Sequence, residues 1–439
     1  MPFQLDPTFA QDPAKHFDTL QIHAGLEPDP TTGAAALPVY ASAAFQFDSA
    51  PDAAAKFALS KPGNVYGRLT NTTTDAVAAR VAAIEGATGA VAVASGHAAE
   101  ILALTNIVGA GDHIVASDSL YGGTWNIFLH TLADLGVETT FVENNDIDGF
   151  VAATKENTKL WYVETIGNPL VDVADVPAIV EAANSLKEPV PVFVDNTFAT
   201  PYLYRPADDG AAVVIESLTK WIGGHGATLG GAVVDTGKFD WKKTPGKFPT
   251  LTEPDPSYHG LVFADAAPAA PFSTRVLANK LRDFGPTLSP YAAQLIGIGI
   301  ETLSLRAQRH SDNALAVAKY LESHPKVSWV RYSGLENDPS HEVASRILHN
   351  GFGGVVVFGV KGGREAGLKV VDNVKLFTHL ANVGDAKSLI IHPASTTHSQ
   401  LTPEQLKAAH LTEDLIRLSV GIENVDDIIA DLDQALENA

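Results

Sequence analysis

From Val91 to Ile215 the chain switches regularly between short apolar runs and segments whose apolar residues recur at helical spacing. Val91-Ala92-Val93-Ala94 reads as a buried strand and His97 to Val108 as a helix. Ile114-Val115-Ala116, Thr124 to Leu135 and Val137 to Val142 repeat the strand–helix–strand order. Lys159-Leu160-Trp161-Tyr162-Val163 is a further strand, followed by a helix from Val176 to Leu186 and strands at Val190 to Val194 and Ala211 to Ile215. Unbroken apolar runs bounded by turn residues suit strands covered on both faces. Their alternation with helices predicts an α/β fold, a mostly parallel sheet with helices on both sides. Reactive side chains are then expected at the carboxyl ends of the strands.

The flanking regions read differently. Residues 1–62 are broken by Pro28, Pro30, Pro38, Pro51 and Pro62 and predict an N-terminal arm or lid. Residues 63–290 form the main domain, interrupted at about 236–270 by a Lys-, Pro- and Gly-rich stretch that reads as a surface insertion. Helical periodicity returns across 288–321. Looser alternation through Val355–Phe358, Leu389–Ile391 and Leu418–Val420 predicts a smaller C-terminal α+β domain over 291–439.

Charge and composition narrow the partners. Thirty basic against 51 acidic residues give a formal charge of −21, which argues against nucleic acid and anionic membranes as partners. No apolar run is long enough to span a bilayer and the N-terminus lacks a secretion signal, so a cytoplasmic location is expected. There is no cysteine, and Met1 is the only methionine. Disulfides, thiolate metal sites and cysteine nucleophiles are excluded, and no metal centre is expected.

Lys220 closes the run Glu216-Ser217-Leu218-Thr219-Lys220, directly after the strand ending at Ile215. An amine at a strand exit with two hydroxyl neighbours suits a pocket beside a phosphate. It points to pyridoxal phosphate (PLP), held by the lysine as a Schiff base. Such a cofactor also needs a carboxylate for its ring nitrogen, donors for its phosphate and an aromatic face. Asp195 follows the strand ending at Val194; alone, it would serve equally as a turn cap. Ser95-Gly96-His97 lies where a strand meets a helix N-terminus, whose free N–H groups bind phosphate; alone, it is an ordinary N-cap with a turn glycine. Tyr66-Gly67-Arg68 offers a phenol and a guanidinium. Tyr121, followed by Gly122-Gly123, stands at another strand-to-helix junction.

In this order the motifs resemble the PLP-dependent Cys/Met-metabolism enzymes, the group of cystathionine γ-synthase, methionine γ-lyase and O-acetylhomoserine sulfhydrylase. The resemblance runs from about Phe17 to about Leu432. It rests on Val194-Asp195-Asn196-Thr197-Phe198-Ala199-Thr200-Pro201, on Ser217-Leu218-Thr219-Lys220, on His392-Pro393-Ala394-Ser395-Thr396-Thr397-His398, and on Arg417-Leu418-Ser419-Val420-Gly421-Ile422-Glu423. It implies the PLP-dependent transferase type I fold with a seven-stranded sheet. It implies that Lys220 is the Schiff-base lysine and proton shuttle, Asp195 the ring-nitrogen partner, and Tyr121 the stacking tyrosine. Gly96, His97, Ser217 and Thr219 would form the phosphate cup. Tyr66 and Arg68 would reach the phosphate of a neighbouring subunit in a homotetramer built from dimers. Arg417 would bind the substrate α-carboxylate, with Ser388 and Asn168 nearby.

Within the family, the chain length, the run Pro254 to Leu261, and Gly384-Asp385-Ala386-Lys387-Ser388-Leu389 favour the O-acetylhomoserine sulfhydrylases. The expected reaction is γ-replacement on O-acetyl-L-homoserine with sulfide or methanethiol. The alternatives are cystathionine γ-synthesis, O-succinylhomoserine sulfhydrylation, γ-lysis, or a silent PLP-binding relative. Gly123 stands where methionine γ-lyases typically carry cysteine, which lowers the lyase reading. His97, Gly67 and Thr72 also depart from the usual family residues.

Overall fold

Alternating burial builds the main sheet. In the strand Thr158–Glu164, Leu160 and Tyr162 face one apolar layer while Trp161 and Val163 face the other, and all four are fully buried. Each such side chain contributes about 1.5–3 kcal/mol by leaving water, and a strand with two buried faces can only be central. The structure is a computed structural model that describes residues 15–26, 28–396 and 411–439; Thr397 and His398 of the His-Pro-Ala-Ser motif lie outside these.

Seven strands form this sheet: β1 Gly89–Val93, β2 His113–Ser117, β3 Glu138–Val142, β4 Thr158–Glu164, β5 Val192–Asp195, β6 Val213–Glu216 and β7 Gly231–Asp235. Their order is β1-β7-β6-β5-β4-β2-β3. Strands β2 to β6 pair in parallel, and β7 runs antiparallel between β6 and β1. The sheet is therefore mostly parallel, with helices such as Thr72–Glu85, Gly96–Ile107 and Val176–Ser185 packed on it. Strand β7 is the one that the apolar pattern does not single out. The helix read over Thr124 to Leu135 widens into a π-helical turn at Ile127–Thr131.

A second sheet, in the order β10-β11-β12-β9-β8, is built from β8 Val327–Arg331, β9 Val355–Val360, β10 Thr378–His379, β11 Leu389–Ile391 and β12 Leu415–Ser419. It forms the smaller C-terminal α+β domain with its own apolar layer, to which Val356, Phe358, Ile416 and Leu418 contribute. The long helix Leu303–Ser323 packs on β8 and β9.

Two flanking segments are more ordered than their composition suggests. The helix Phe17–His23 is tied to Leu303–Ser323 by reciprocal bonds: Gln21 donates to Ser304 Oγ at 2.8 Å, and Ser304 N–H donates to Gln21 Oε1 at 3.0 Å. The stretch 236–270 is not the surface insertion that its composition predicts. It buries Trp241, Phe248, Leu251 and Phe263 against the main sheet's apolar layer. Trp241 stacks on Phe272 with centroids 5.2 Å apart. Its aromatic residues follow no regular period, so the sequence pattern carries no sign of this packing.

Candidate active site

A cavity of about 260 Å³ opens at the carboxyl edge of the main sheet, where the turns after β1, β2, β4, β5 and β6 converge. The second sheet closes it from one side with Arg417 of β12, and with Asn382 from the segment between β10 and β11.

The turn after β1 is tightly constrained. Ser95 caps the helix Gly96–Ile107, its Oγ accepting from Ala98 N–H at 3.1 Å. The N–H groups of Gly96 and His97, the first two of the helix, have no intrahelical acceptor. A Cβ on Gly96 would lie 2.7 Å from Ser217 Cβ, and one on Gly231 of β7 would lie 2.0 Å from Ser95 O. Glycine at both places lets the turns after β1 and β6 close on one another. The result brings two free N–H groups beside the Ser217 hydroxyl. Thr219 is held in place by reciprocal bonds with the Gly230 backbone, both 3.1 Å. Thr219 Oγ1 thus spends its proton on Gly230 O, and the donor set fitted to a phosphate is the two N–H groups with the Ser217 hydroxyl.

Asp195 ends β5 and stands directly across from Glu164, the last residue of β4. Thr197 N–H donates to Asp195 Oδ1 at 2.9 Å, yet burial pushes the Asp195 carboxyl above its ordinary range. Glu164 and Glu100 are buried alongside and are held well above theirs, first by desolvation and then by the charge on Asp195. A cationic ring nitrogen placed here would favour the ionised form of Asp195. Glu164 also fixes the turn after β2, because its Oε1 accepts from Tyr121 N–H at 2.7 Å. The Tyr121 ring is half exposed and faces the cavity. Phosphate donors, a buried carboxylate and an open aromatic ring thus fit PLP in charge, polarity and order along the sheet.

Lys220 completes the set. Its Nζ donates to Asn382 Oδ1 at 2.5 Å. Its pKa is pushed down to about 8, mainly by burial and further by the Arg417 charge. Arg417 is buried and donates to Asn168 Oδ1 at 3.1 Å; burial lowers its pKa to about 10.

The cavity therefore brings together Gly96, His97, Tyr121, Asn168, Asp195, Ser217, Thr219, Lys220 and Arg417. Three residues named from the sequence stand elsewhere. Ser388 is fully buried, its Oγ donating to Glu423 Oε2 and accepting from Gly421 N–H, both at 2.9 Å, so its hydroxyl is committed within the second domain. Tyr66 is 45% exposed with the Arg68 guanidinium 5.5 Å from its ring centre, and Arg68 donates to Arg282 O. Asn382, Glu164 and Glu100 also line the cavity, and sequence reasoning misses all three. Glu164 is discoverable as the residue ending a buried strand level with Asp195; Asn382 carries no local signal.

Comparison with known proteins agrees with this geometry. Homocysteine synthase of Schizosaccharomyces pombe is 50% identical over 427 residues, covering 97% of this chain and 99% of that protein. O-acetyl-L-homoserine sulfhydrylase of Leptospira meyeri is 48% identical, with 96% of each chain covered. The crystal structure of a putative O-acetylhomoserine (thiol)-lyase from Campylobacter jejuni, which contains N'-pyridoxyl-lysine-5'-monophosphate, superposes with a TM-score of 0.93 at 39% identity, over 96% of this chain and all of that one. A family model matches residues 18–437, nearly the whole span that builds the cavity, and the chain belongs to that family, the Cys/Met metabolism PLP-dependent enzymes.

Proposed function

We propose that this enzyme replaces the acetoxy group at Cγ of O-acetyl-L-homoserine with sulfide or methanethiol, yielding L-homocysteine or L-methionine and acetate. The observation that carries this reading is Arg417: a buried guanidinium beside Lys220, with no ion pair to a carboxylate among the described residues. A buried cation of this kind calls for an anionic partner, and the α-carboxylate of an amino acid supplies it while its amine meets Lys220. The sulfhydrylase and homocysteine synthase names of the relatives select the acyl-homoserine substrate and the sulfur nucleophile.

PLP, when bound, supplies the electron sink that acidifies the substrate's Cα–H and extends that activation toward Cγ. The chain's own groups do the rest. Lys220, with a pKa near 8, has a usable neutral fraction at neutral pH and takes the α-proton at Nζ. Asn382 Oδ1 holds that nitrogen in place. Asp195 would pair with the ring nitrogen, Tyr121 would pack on the ring, and Gly96, His97, Ser217 and Thr219 would hold the phosphate. Asn168 orients Arg417 toward the carboxylate.

The working form is a homotetramer of dimers in the cytoplasm, with Tyr66 and Arg68 of one subunit completing the phosphate site of its partner. Exposed Tyr291, Leu295, Ile298 and Leu305, on the helices Pro290–Ile300 and Leu303–Ser323, support burial against another copy. Purified enzyme incubated with O-acetyl- or O-succinylhomoserine, each with sulfide or cysteine, tests the reading. Homocysteine from the acetyl ester and sulfide is expected. Cystathionine as the main product, or preference for the succinyl ester, would overturn it.

A further inference from the structure

The backbone N–H of His97 would serve a phosphate, which leaves its side chain without an assigned role. Its ring lines the cavity and stacks against Tyr121, with centroids 5.5 Å apart and an interplanar angle of 28°. Across from it, Gly123 has no side chain. A Cβ there would lie 2.4 Å from His97 Nε2 and 2.6 Å from Tyr121 Cε1. The imidazole thus occupies space that any other residue at 123 would fill, and the two positions are coupled. Neither ring nitrogen of His97 has a hydrogen-bond partner among the described residues. Partial burial lowers its pKa, and the Lys220 charge lowers it further; a neutral imidazole carries one nitrogen that can accept a proton. The other ionisable groups lining this cavity are Lys220, Arg417, Tyr121, Glu100, Glu164 and Asp195. Lys220 is committed to the α-proton and hydrogen-bonded to Asn382. The three carboxyls are held above their ordinary pKa; Asp195 and Glu164 end neighbouring strands, and Glu100, on the helix that begins beside His97, accepts from Thr124 Oγ1 at 3.4 Å.

Resting on the sulfhydrylase reading, we propose that His97 is the base that receives the sulfur nucleophile, its imidazole seated beside Tyr121 in the space that Gly123 leaves for it. The S–H bond of hydrogen sulfide, or of a small thiol, breaks; its electron pair stays on sulfur; and the proton forms a new N–H bond on the free imidazole nitrogen. The resulting anion is the species that adds at Cγ.

The test compares wild type, His97→Gln and Gly123→Ala as holoenzymes. On the proposed reaction, acetate leaves before sulfur adds, so kcat/KM for O-acetylhomoserine and kcat/KM for sulfide report separate stages. General-base assistance is worth about 10²–10⁴-fold. His97→Gln is therefore expected to lower kcat/KM for sulfide by about a hundredfold at pH 6.5, with a much smaller effect on kcat/KM for O-acetylhomoserine. The deficit should shrink as pH rises and sulfide ionises unaided. Added imidazole should restore part of the rate in His97→Gln, whereas Gly123→Ala, whose Cβ presses on both His97 and Tyr121, should lower both kcat/KM values and gain nothing from imidazole. A sulfide kcat/KM within about twofold of wild type, or a loss of equal size at every pH, would overturn the role of His97. If wild type itself makes no homocysteine from O-acetylhomoserine, the sulfhydrylase reading fails instead.

Discussion

Replacing Arg417 with methionine should separate function from stability. Arg417 is buried, and among the described residues its hydrogen-bond partner is neutral: Asn168 Oδ1 at 3.1 Å. Among the described residues no carboxylate offsets its charge, and burial brings its pKa down to about 10. A displacement of that size corresponds to a penalty on the order of 3 kcal/mol, partly compensated by the bond to Asn168. Methionine fills similar space without a charge, so cofactor-free Arg417→Met should unfold at the same temperature as wild type or about 2 °C higher. Substrate binding should change the other way. Leaving a carboxylate without its buried cation costs about 3–5 kcal/mol, which lowers kcat/KM for O-acetylhomoserine roughly 10²–10⁴-fold. Steady-state kinetics on the holoenzyme and differential scanning calorimetry on the apoprotein read the two effects. A kinetic loss below tenfold would refute Arg417 as the carboxylate partner. A melting temperature several degrees lower would show instead that the guanidinium serves the fold.

Lys220→Met in cofactor-free protein should add stability, because Lys220 has a pKa near 8 when folded against 10.5 when unfolded. That gain, on the order of 3 kcal/mol, should be full below about pH 8, shrink as pH rises and vanish above about 10.5, as denaturant midpoints across pH would reveal; a difference independent of pH would count against the burial argument. Gly96→Ala drives a Cβ to within 2.7 Å of Ser217 Cβ. It should part the two phosphate-binding turns and weaken PLP binding about tenfold or more, measured by equilibrium dialysis; unchanged affinity would show that the turns can yield. If Arg68 serves a neighbouring subunit, mixing inactive Lys220→Ala and Arg68→Ala chains should restore about one quarter of wild-type activity, since half the dimers are mixed and each has one intact site. No recovery after verified subunit exchange would place Arg68 outside a shared site.

Much of the site is legible along the chain because its parts are local. Lys220, Asp195 and the Ser95-Gly96 turn each sit at the end of a buried apolar run, and such runs announce strand ends without reference to neighbours. Groups that reach the cavity by packing are hidden. Ser388 lies next to a family motif and so points to the site, but its hydroxyl is engaged by Glu423 and Gly421. Asn382, only six positions earlier, is the residue that meets Lys220.

By itself the sequence determined the alternation of strands and helices, the acidic and cysteine-free character of the chain, and the residue types a PLP site requires. Periodicity and turn chemistry are properties of neighbouring residues, so they survive without a fold. Only the tertiary structure decided that β7 runs antiparallel beneath the turn after β1. It alone decided that the apparent insertion at 236–270 is part of the core, that Arg417 arrives from the second sheet, and that His97 fills the space left by Gly123. Each of these joins residues far apart in the chain, or depends on the volume left between side chains, and neither is written in any local pattern.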